Sequence, residues 1–212
     1  MLLRDDIYHA IRTSILRCVL QPGQELREQI LADQYRVSRS PIRDALLRLE
    51  RERLVTVLPR QGYLVNPITP SQVTDLYGLR LVIEPACAAA AAARADGVTD
   101  GLTRFRGWRR EPTSLDALLA HNTDLHNAIT GFNPNSRIRA IAHDLVEQSD
   151  RLMRFAGPYI GSKDIDDLDA EHDAIIDAIL SHDTAGAAKS AALHVESSRE
   201  RTLEALRRAD AK

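Results

Sequence analysis

Three histidines in the 212-residue chain, His126, His172 and His194, stand where the surrounding pattern is apolar. His126 follows Asn122 by four residues, so both side chains share one face of a helix. His172 precedes Ile175, Ile176 and Ile179 at steps of three, four and seven, which places it on the inward stripe of its helix. His194 lies in a row with Ala187, Ser190, Ala191 and Ser198, small residues that leave room around an imidazole. A lone histidine on such a face is ordinarily a hydrogen-bonded core residue. Three of them on inward faces, spaced 46 and 22 residues apart, raise a second chemistry, because imidazoles suit Zn²⁺, Ni²⁺, Cu²⁺ or Fe²⁺. His9, His121, His143 and His182 fit no such row and read as surface or packing residues.

The other set is basic. Arg36, Arg39 and Arg43 fall on one flank of a helix whose inward face is Ile42, Ala45, Leu46 and Leu49. The net charge of -2 conceals this, since residues 1–66 carry 11 Arg and no Lys against 8 Asp and Glu, while residues 67–212 carry 17 basic against 22 acidic residues. One end of the molecule therefore suits a polyanion. Two polar residues also sit in apolar rows: Arg80 among Val73, Leu76, Tyr77, Ile83 and Cys87, and Gln148 among Ile141, Leu145 and Leu152. A buried arginine needs an anionic partner, and Glu84 one turn later is the local candidate.

The elements that must position these groups follow from periodicity and breakers. Helices are expected over about 5–20, 28–35 and 39–53, with Ser38 as N-cap and Pro41 in the first turn of the third. Leu54–Leu58 and Tyr63–Val65 read as strands around the turn Pro59-Arg60-Gln61-Gly62. Three helices followed by a hairpin, with the basic excess on the third helix and the hairpin tip, make a winged helix-turn-helix over residues 1–66. Residues 67–70 are a linker, and Thr69-Pro70-Ser71-Gln72 opens a new helix with a T-x-x-Q capping pattern. From 71 to 212 no strand is expected. Helices near 71–95, 98–107, 114–130, 135–156, 164–181 and 184–208 are separated by Gly97, by residues 107–113, and by later Gly-, Pro- and Asn-bearing stretches. The fold class is thus mainly α: a winged helix-turn-helix followed by an antiparallel all-α bundle.

Composition narrows the function classes. With 44% hydrophobic and 27% charged residues the chain is globular in character. No run of about 18 apolar residues offers a membrane span. Met1-Leu2-Leu3 is broken by Arg4, Asp5 and Asp6 too early for a secretory core, so a cytoplasmic location is expected. Cys18 and Cys87 have no CxxC spacing and read as reduced, buried thiols.

The stretch Glu28-Gln29-Ile30-Leu31-Ala32, then Val37-Ser38-Arg39-Ser40-Pro41-Ile42-Arg43-Asp44-Ala45-Leu46, then Leu49-Glu50, closed by Pro59-Arg60-Gln61-Gly62, resembles the winged-helix signature of GntR-family transcriptional regulators. The helical remainder is similar to the FCD effector domain of the FadR-like branch, so the resemblance spans nearly the whole chain. It implies that Arg39 and Arg43 touch a double-stranded DNA operator from the recognition helix, and that Gly62 lets the wing backbone approach the minor groove. An arginine fork pairs with guanine N7 and O6, and Ser38 and Ser40 suit phosphates at a helix N-terminus. Arg60 at the wing tip is assigned to phosphate. Arg53 stands where a glycine is common in the family, so a looser turn is expected before the first wing strand.

The same resemblance implies a divalent metal ion held by Asn122, His126, His172 and His194, with Zn²⁺ first and Ni²⁺ or Mn²⁺ as alternatives. It further implies a small carboxylate effector met by Arg80 and Gln148. One recognition helix reads few bases, so a homodimer on a pseudo-palindromic operator is expected. The competing class is a metal-dependent hydrolase built on the histidine cluster. A non-specific architectural DNA-binding protein would carry more positive charge than +3 on residues 1–66.

Overall fold

The structure, a computed structural model, describes residues 2–94, 98–107 and 114–210. The chain forms two compact units, Met1–Ile68 and Thr69–Lys212. In the first, α1 (Leu2–Leu16), α2 (Glu28–Tyr35) and α3 (Arg39–Arg51) pack around Ile7, Ile11, Ile15, Leu31, Ile42, Leu46 and Leu49, all buried. Arg36 ends α2 in the left-handed region at φ 55°, and the Val37 N–H bonds to the Ala32 carbonyl at 3.0 Å, which turns the chain sharply into α3. Ser38 occupies the N-cap position of α3 but makes no side-chain capping bond, contrary to expectation.

The wing has one strand more than the hairpin read from sequence. A two-residue strand β1 (Glu25–Leu26) pairs antiparallel with β3 (Gly62–Val65), which pairs antiparallel with β2 (Val55–Leu58), in the order β1-β3-β2. Two residues carry too little periodicity to be seen before folding. The expected looser turn at Arg53 is also corrected. Arg53 takes φ 58°, and the N–H groups of Arg53 and Leu54 reach the carbonyls of Glu50 and Leu49 at 2.9 Å each, closing the turn tightly without glycine. Gly62 has an intramolecular reason for being glycine: at φ +123°, an added Cβ would lie 2.4 Å from the Leu26 carbonyl oxygen of β1.

The second unit is all α among the described residues: α4 (Pro70–Ala92), α5 (Leu115–Gly131), α6 (Ser136–Ala156), α7 (Ser162–Leu180) and α8 (Thr184–Asp210). The stretch read as a helix over 98–107 is a 3₁₀ helix, Val98–Phe105. The breaks expected at Gly97 and over 108–113 lie outside the described residues. Thr69 caps α4 by accepting the Gln72 N–H at 3.3 Å. Tyr77 near the start of α4 meets Thr202 near the end of α8, hydroxyl to hydroxyl at 3.0 Å, so these helices run antiparallel. Ala88, Ala91 and Ala92 pack with Ala187 and Ala191, where small side chains let the two backbones approach. Ile175, Ile176 and Ile179 of α7 close the same core. No described helix is long and apolar enough to cross a membrane.

Candidate metal centre and nucleic-acid interface

In the helical unit, α5, α7 and α8 bring three imidazoles together. His126, His172 and His194 are 3%, 3% and 1% exposed, and their ligand atoms all lie within 4.8 Å of one another. Ring centroids are 5.4 Å apart between His126 and His172, 5.0 Å between His126 and His194, and 4.8 Å between His172 and His194. Asn122 is buried one turn before His126 on α5. The residues that sequence rows placed on inward faces therefore do share one interior position.

Two carboxylates orient the rings. Glu84 Oε2 of α4 lies 3.1 Å from His126 Nδ1, and Glu171 Oε2 of α7 lies 3.0 Å from His194 Nδ1. A carboxylate can only accept, so each Nδ1 carries the proton and each Nε2 keeps its lone pair. Both carboxylates are pinned from behind by arginine. Arg80 donates to Glu84 through Nε and Nη2, the latter at 3.1 Å, with its guanidinium 4.8 Å from the Tyr77 ring centroid. Arg201 donates to both oxygens of Glu171 at 2.8 and 2.7 Å. Two Arg–Glu–His relays thus converge on the cluster. Glu84 was read from sequence as the partner of Arg80, whereas Glu171 and Arg201 are site residues that the sequence reading did not place there; their cross-helix partnerships become informative only once the helices are packed.

Electrostatics favour the neutral form of two of the imidazoles, His172 and His194. Burial pushes His172 well below its usual range, and the neighbouring His194 and His126 add to the effect. Burial also lowers His194 to about 4, despite the opposing bond from Glu171. Burial would raise Glu171, but Arg201 and His194 outweigh it and bring it down to about 2. Likewise Arg80 and His126 hold Glu84 well below the carboxylate range against its burial.

The residues fit a divalent cation. The Nε2 atoms of His126 and His172 are buried with no hydrogen-bond partner among the described residues, a costly arrangement for polar atoms unless something else binds them. Neutral imidazole nitrogens with carboxylates behind them are the donor set that borderline metals favour. The adjoining cavity, lined by Glu84, Ala88, His126, Ile129, Thr130, Ile175 and Ala191, has about 10 Å³, room for about one water and not for an organic acid.

The two residues assigned to an effector are bonded within their own helices. Arg80 has Glu84, the local partner, and Gln148 Nε2 donates to Asp144 at 2.7 Å. Gln148 is half-buried, and the inward face of α6 is rotated from the row read in sequence: Ile141 is 45% exposed, while Ala142, Leu145, Val146, Ser149 and Leu152 are buried.

In the first unit, an open groove of about 640 Å³ is lined by Arg27, Glu28, Gln29, Arg39 and Arg43 on one side and by Arg60, Gly62, Tyr63 and their neighbours of the wing on the other. Ser38, Ser40 and Arg60 are exposed, and Arg60 adopts φ 67° at the wing tip. Arg27, at the N-cap of α2, is an addition that sequence patterning did not select. Glu28 accepts from Arg43 Nε and Nη2 at 2.8 and 2.9 Å and from Arg39 Nη2 at 2.8 Å.

A three-helix unit with a β wing and an arginine-lined groove, joined to an all-α unit holding buried histidines, is the architecture of a one-component DNA-binding regulator. The chain belongs to the GntR family: residues 3–65 match the bacterial regulatory proteins of the gntR family, and residues 75–197 match the FCD domain. It is a DNA-binding transcriptional regulator with an FCD effector domain. It is 26% identical over 207 residues to the Escherichia coli K12 HTH-type transcriptional repressor GlaR, covering 90% of this chain and 91% of that protein. It is 35% identical over 81 residues to an HTH-type transcriptional regulator of Agrobacterium vitis, covering 38% of this chain and 47% of the relative. A solved GntR regulator from Rhodococcus sp. RHA1 shares the fold, with a TM-score of 0.75 and 21% identity across 96% of this chain and 98% of that one.

Proposed function

We propose that this regulator binds a pseudo-palindromic operator as a homodimer in the cytoplasm, and that a divalent ion in its FCD domain links a small organic acid to DNA affinity. The observation that carries the reading is the convergence of His126, His172 and His194, two of whose Nε2 atoms have no partner among the described residues. Asn122 on the same face as His126 is the fourth ligand. Zn²⁺ matches the imidazole set best, with Ni²⁺ and Mn²⁺ as alternatives. When bound, the ion supplies a Lewis-acidic position to which a carboxylate can bind.

The protein's own residues do the rest. Glu84 and Glu171 hold the rings in one tautomer, and Arg80 and Arg201 hold those carboxylates. The cavity is too small for an acid, so one enters only by displacing side chains around Thr130 and Ile175, with Arg80 and Gln148 reaching it only in the enlarged pocket. Binding is thereby coupled to rearrangement of the bundle, as a sensor requires. On the DNA side Arg39 and Arg43 read bases, while Arg60, Ser38 and Ser40 meet phosphates and Gly62 keeps the wing compact.

A hydrolase reading finds no support in the same geometry. Both oxygens of Glu84 are engaged by Arg80 and His126, so this carboxylate is not placed to deprotonate a water. The test is footprinting on DNA upstream of the protein's own gene, with metal-loaded and chelator-treated protein, and with and without a panel of small carboxylates. Two related half-sites whose protection changes with metal and one class of acid support the proposal. An asymmetric footprint indifferent to both contradicts it.

A further inference from the structure

Glu28 is the acidic residue in a groove lined by Arg27, Arg39, Arg43 and Arg60. Its position is unlike that of an ordinary surface ion-pair partner. The Glu28 side chain is 12% exposed, whereas Arg39 and Arg43 are 56% and 57% exposed. The carboxylate therefore sits behind the guanidinium groups and leaves their outer edges open. Arginine has five N–H donors in a planar fork. Glu28 takes two from Arg43, through Nε and Nη2, and one from Arg39, through Nη2. Among the described residues Nη1 of neither fork has a bonded partner; two bonds fix the plane of Arg43, and one bond tethers Arg39 to the same point on α2.

We propose that Glu28 is a positioning residue for DNA reading: its one carboxylate aligns Arg39 and Arg43 against the groove and so sets sequence preference rather than overall affinity. The inference rests on the reading that these two arginines contact bases. Free arginine side chains lose much rotamer freedom when they dock, and a fork held beforehand loses less. A fork held in one plane also accepts one base edge and rejects others, whereas a mobile one settles on any phosphate or base within reach. The negative charge of Glu28 works against non-specific binding, because it offsets part of the arginines' attraction for the backbone. Both effects raise the ratio of specific to non-specific affinity. The paired charges hold Glu28 below the carboxylate range, Arg43 contributing most, so the clamp persists at neutral pH.

The experiment uses the full chain and duplexes recovered by wild-type protein from a randomised library. Affinity is then measured for the recovered duplex, for its single-base variants and for an unrelated duplex. Glu28→Gln keeps the shape and removes the charge. It should lower the ratio of recovered to single-base-variant affinity about tenfold, the scale of one bidentate base contact, while affinity for the unrelated duplex holds or rises. Glu28→Asp keeps the charge but is one methylene too short to reach both forks, and it should lose discrimination without gaining non-specific affinity. In an Arg39→Ala/Arg43→Ala background, Glu28→Gln should change the ratio no further. An unchanged ratio in Glu28→Gln, or a rise in affinity for all duplexes alike, overturns the inference. If instead Arg43→Ala binds the recovered duplex as wild type does, or wild type recovers no preferred duplex, it is the base-reading assignment itself that fails.

Discussion

Glu171 Oε2 stands 3.0 Å from Nδ1 of His194 while both oxygens of the same carboxylate accept from Arg201, so the ring that faces the histidine cluster is held by a group that is itself held. Glu171→Gln retains the shape but not the charge that draws Arg201 and orients His194. Outer-sphere partners of this kind are worth about 10–100-fold in metal affinity. Calorimetric titration of Zn²⁺ into Glu171→Gln should show a loss on that scale. Wild-type affinity in the variant would mean that Glu171 serves only packing.

Acid should destabilise the metal-free protein through the buried histidines. His194 titrates at about 4 in the folded chain, against 6.5 when unfolded, so between those values the unfolded state binds the extra proton. The stabilisation is fully present above pH 6.5 and is lost as pH falls toward 4. His172, lowered in the same direction by burial, deepens the slope. Melting temperatures of chelator-treated protein from pH 7 to pH 4 should fall steadily, and His194→Gln should flatten the curve. For the same reason protons at His172 and His194 begin to compete with metal well below pH 6.5, lower than the ordinary histidine value from sequence suggests.

Arg80→Ala leaves the Glu84 carboxylate buried without its main counter-charge. Breaking a buried pair in this way costs about 3–5 kcal/mol, whereas removing one partner of an exposed pair costs about 1 or less. Denaturant unfolding should place Arg80→Ala in the first range, while Arg207→Ala, whose partner Glu204 lies at the surface, should lose far less. A small loss for Arg80→Ala would show that Glu84 has another counter-charge.

Arg43 and Arg60 should differ in kind. Arg43→Ala should cost about 1–3 kcal/mol on the preferred duplex and relax preference at one base pair per half-site. Arg60→Ala should weaken all duplexes alike and reduce the salt slope by about one. Gel shifts across a salt series separate the two patterns.

Much of this arrangement was legible before folding. Ile175, Ile176 and Ile179 revealed the inward stripe of α7, and His172 followed from it; Pro41, Pro70 and the Gly- and Asn-bearing breaks marked helix starts and ends. What was not legible depends on packing between elements. Glu28 lies 11 and 15 residues from Arg39 and Arg43, and only the turn at Arg36 brings α2 beside α3. Glu171 and Arg201 belong to different helices and carry no shared spacing. The row through Ile141 and Gln148 was misread because α6 buries a neighbouring stripe, and an apolar residue at a stripe's edge shifts the inferred face. The strand β1 exists because β3 offers it an edge, a tertiary cause that two residues do not record.

The most direct test of the account is calorimetric titration of Zn²⁺ into the full chain after chelator treatment and dialysis, paired with its melting curve. The account predicts one ion per chain, a stability gain of about 2.7 kcal/mol at a free ion concentration 100-fold above Kd, and loss of both in His172→Ala. No binding of Zn²⁺, Ni²⁺ or Mn²⁺, with melting unchanged by any of them, would contradict it and leave the three histidines as a buried polar cluster.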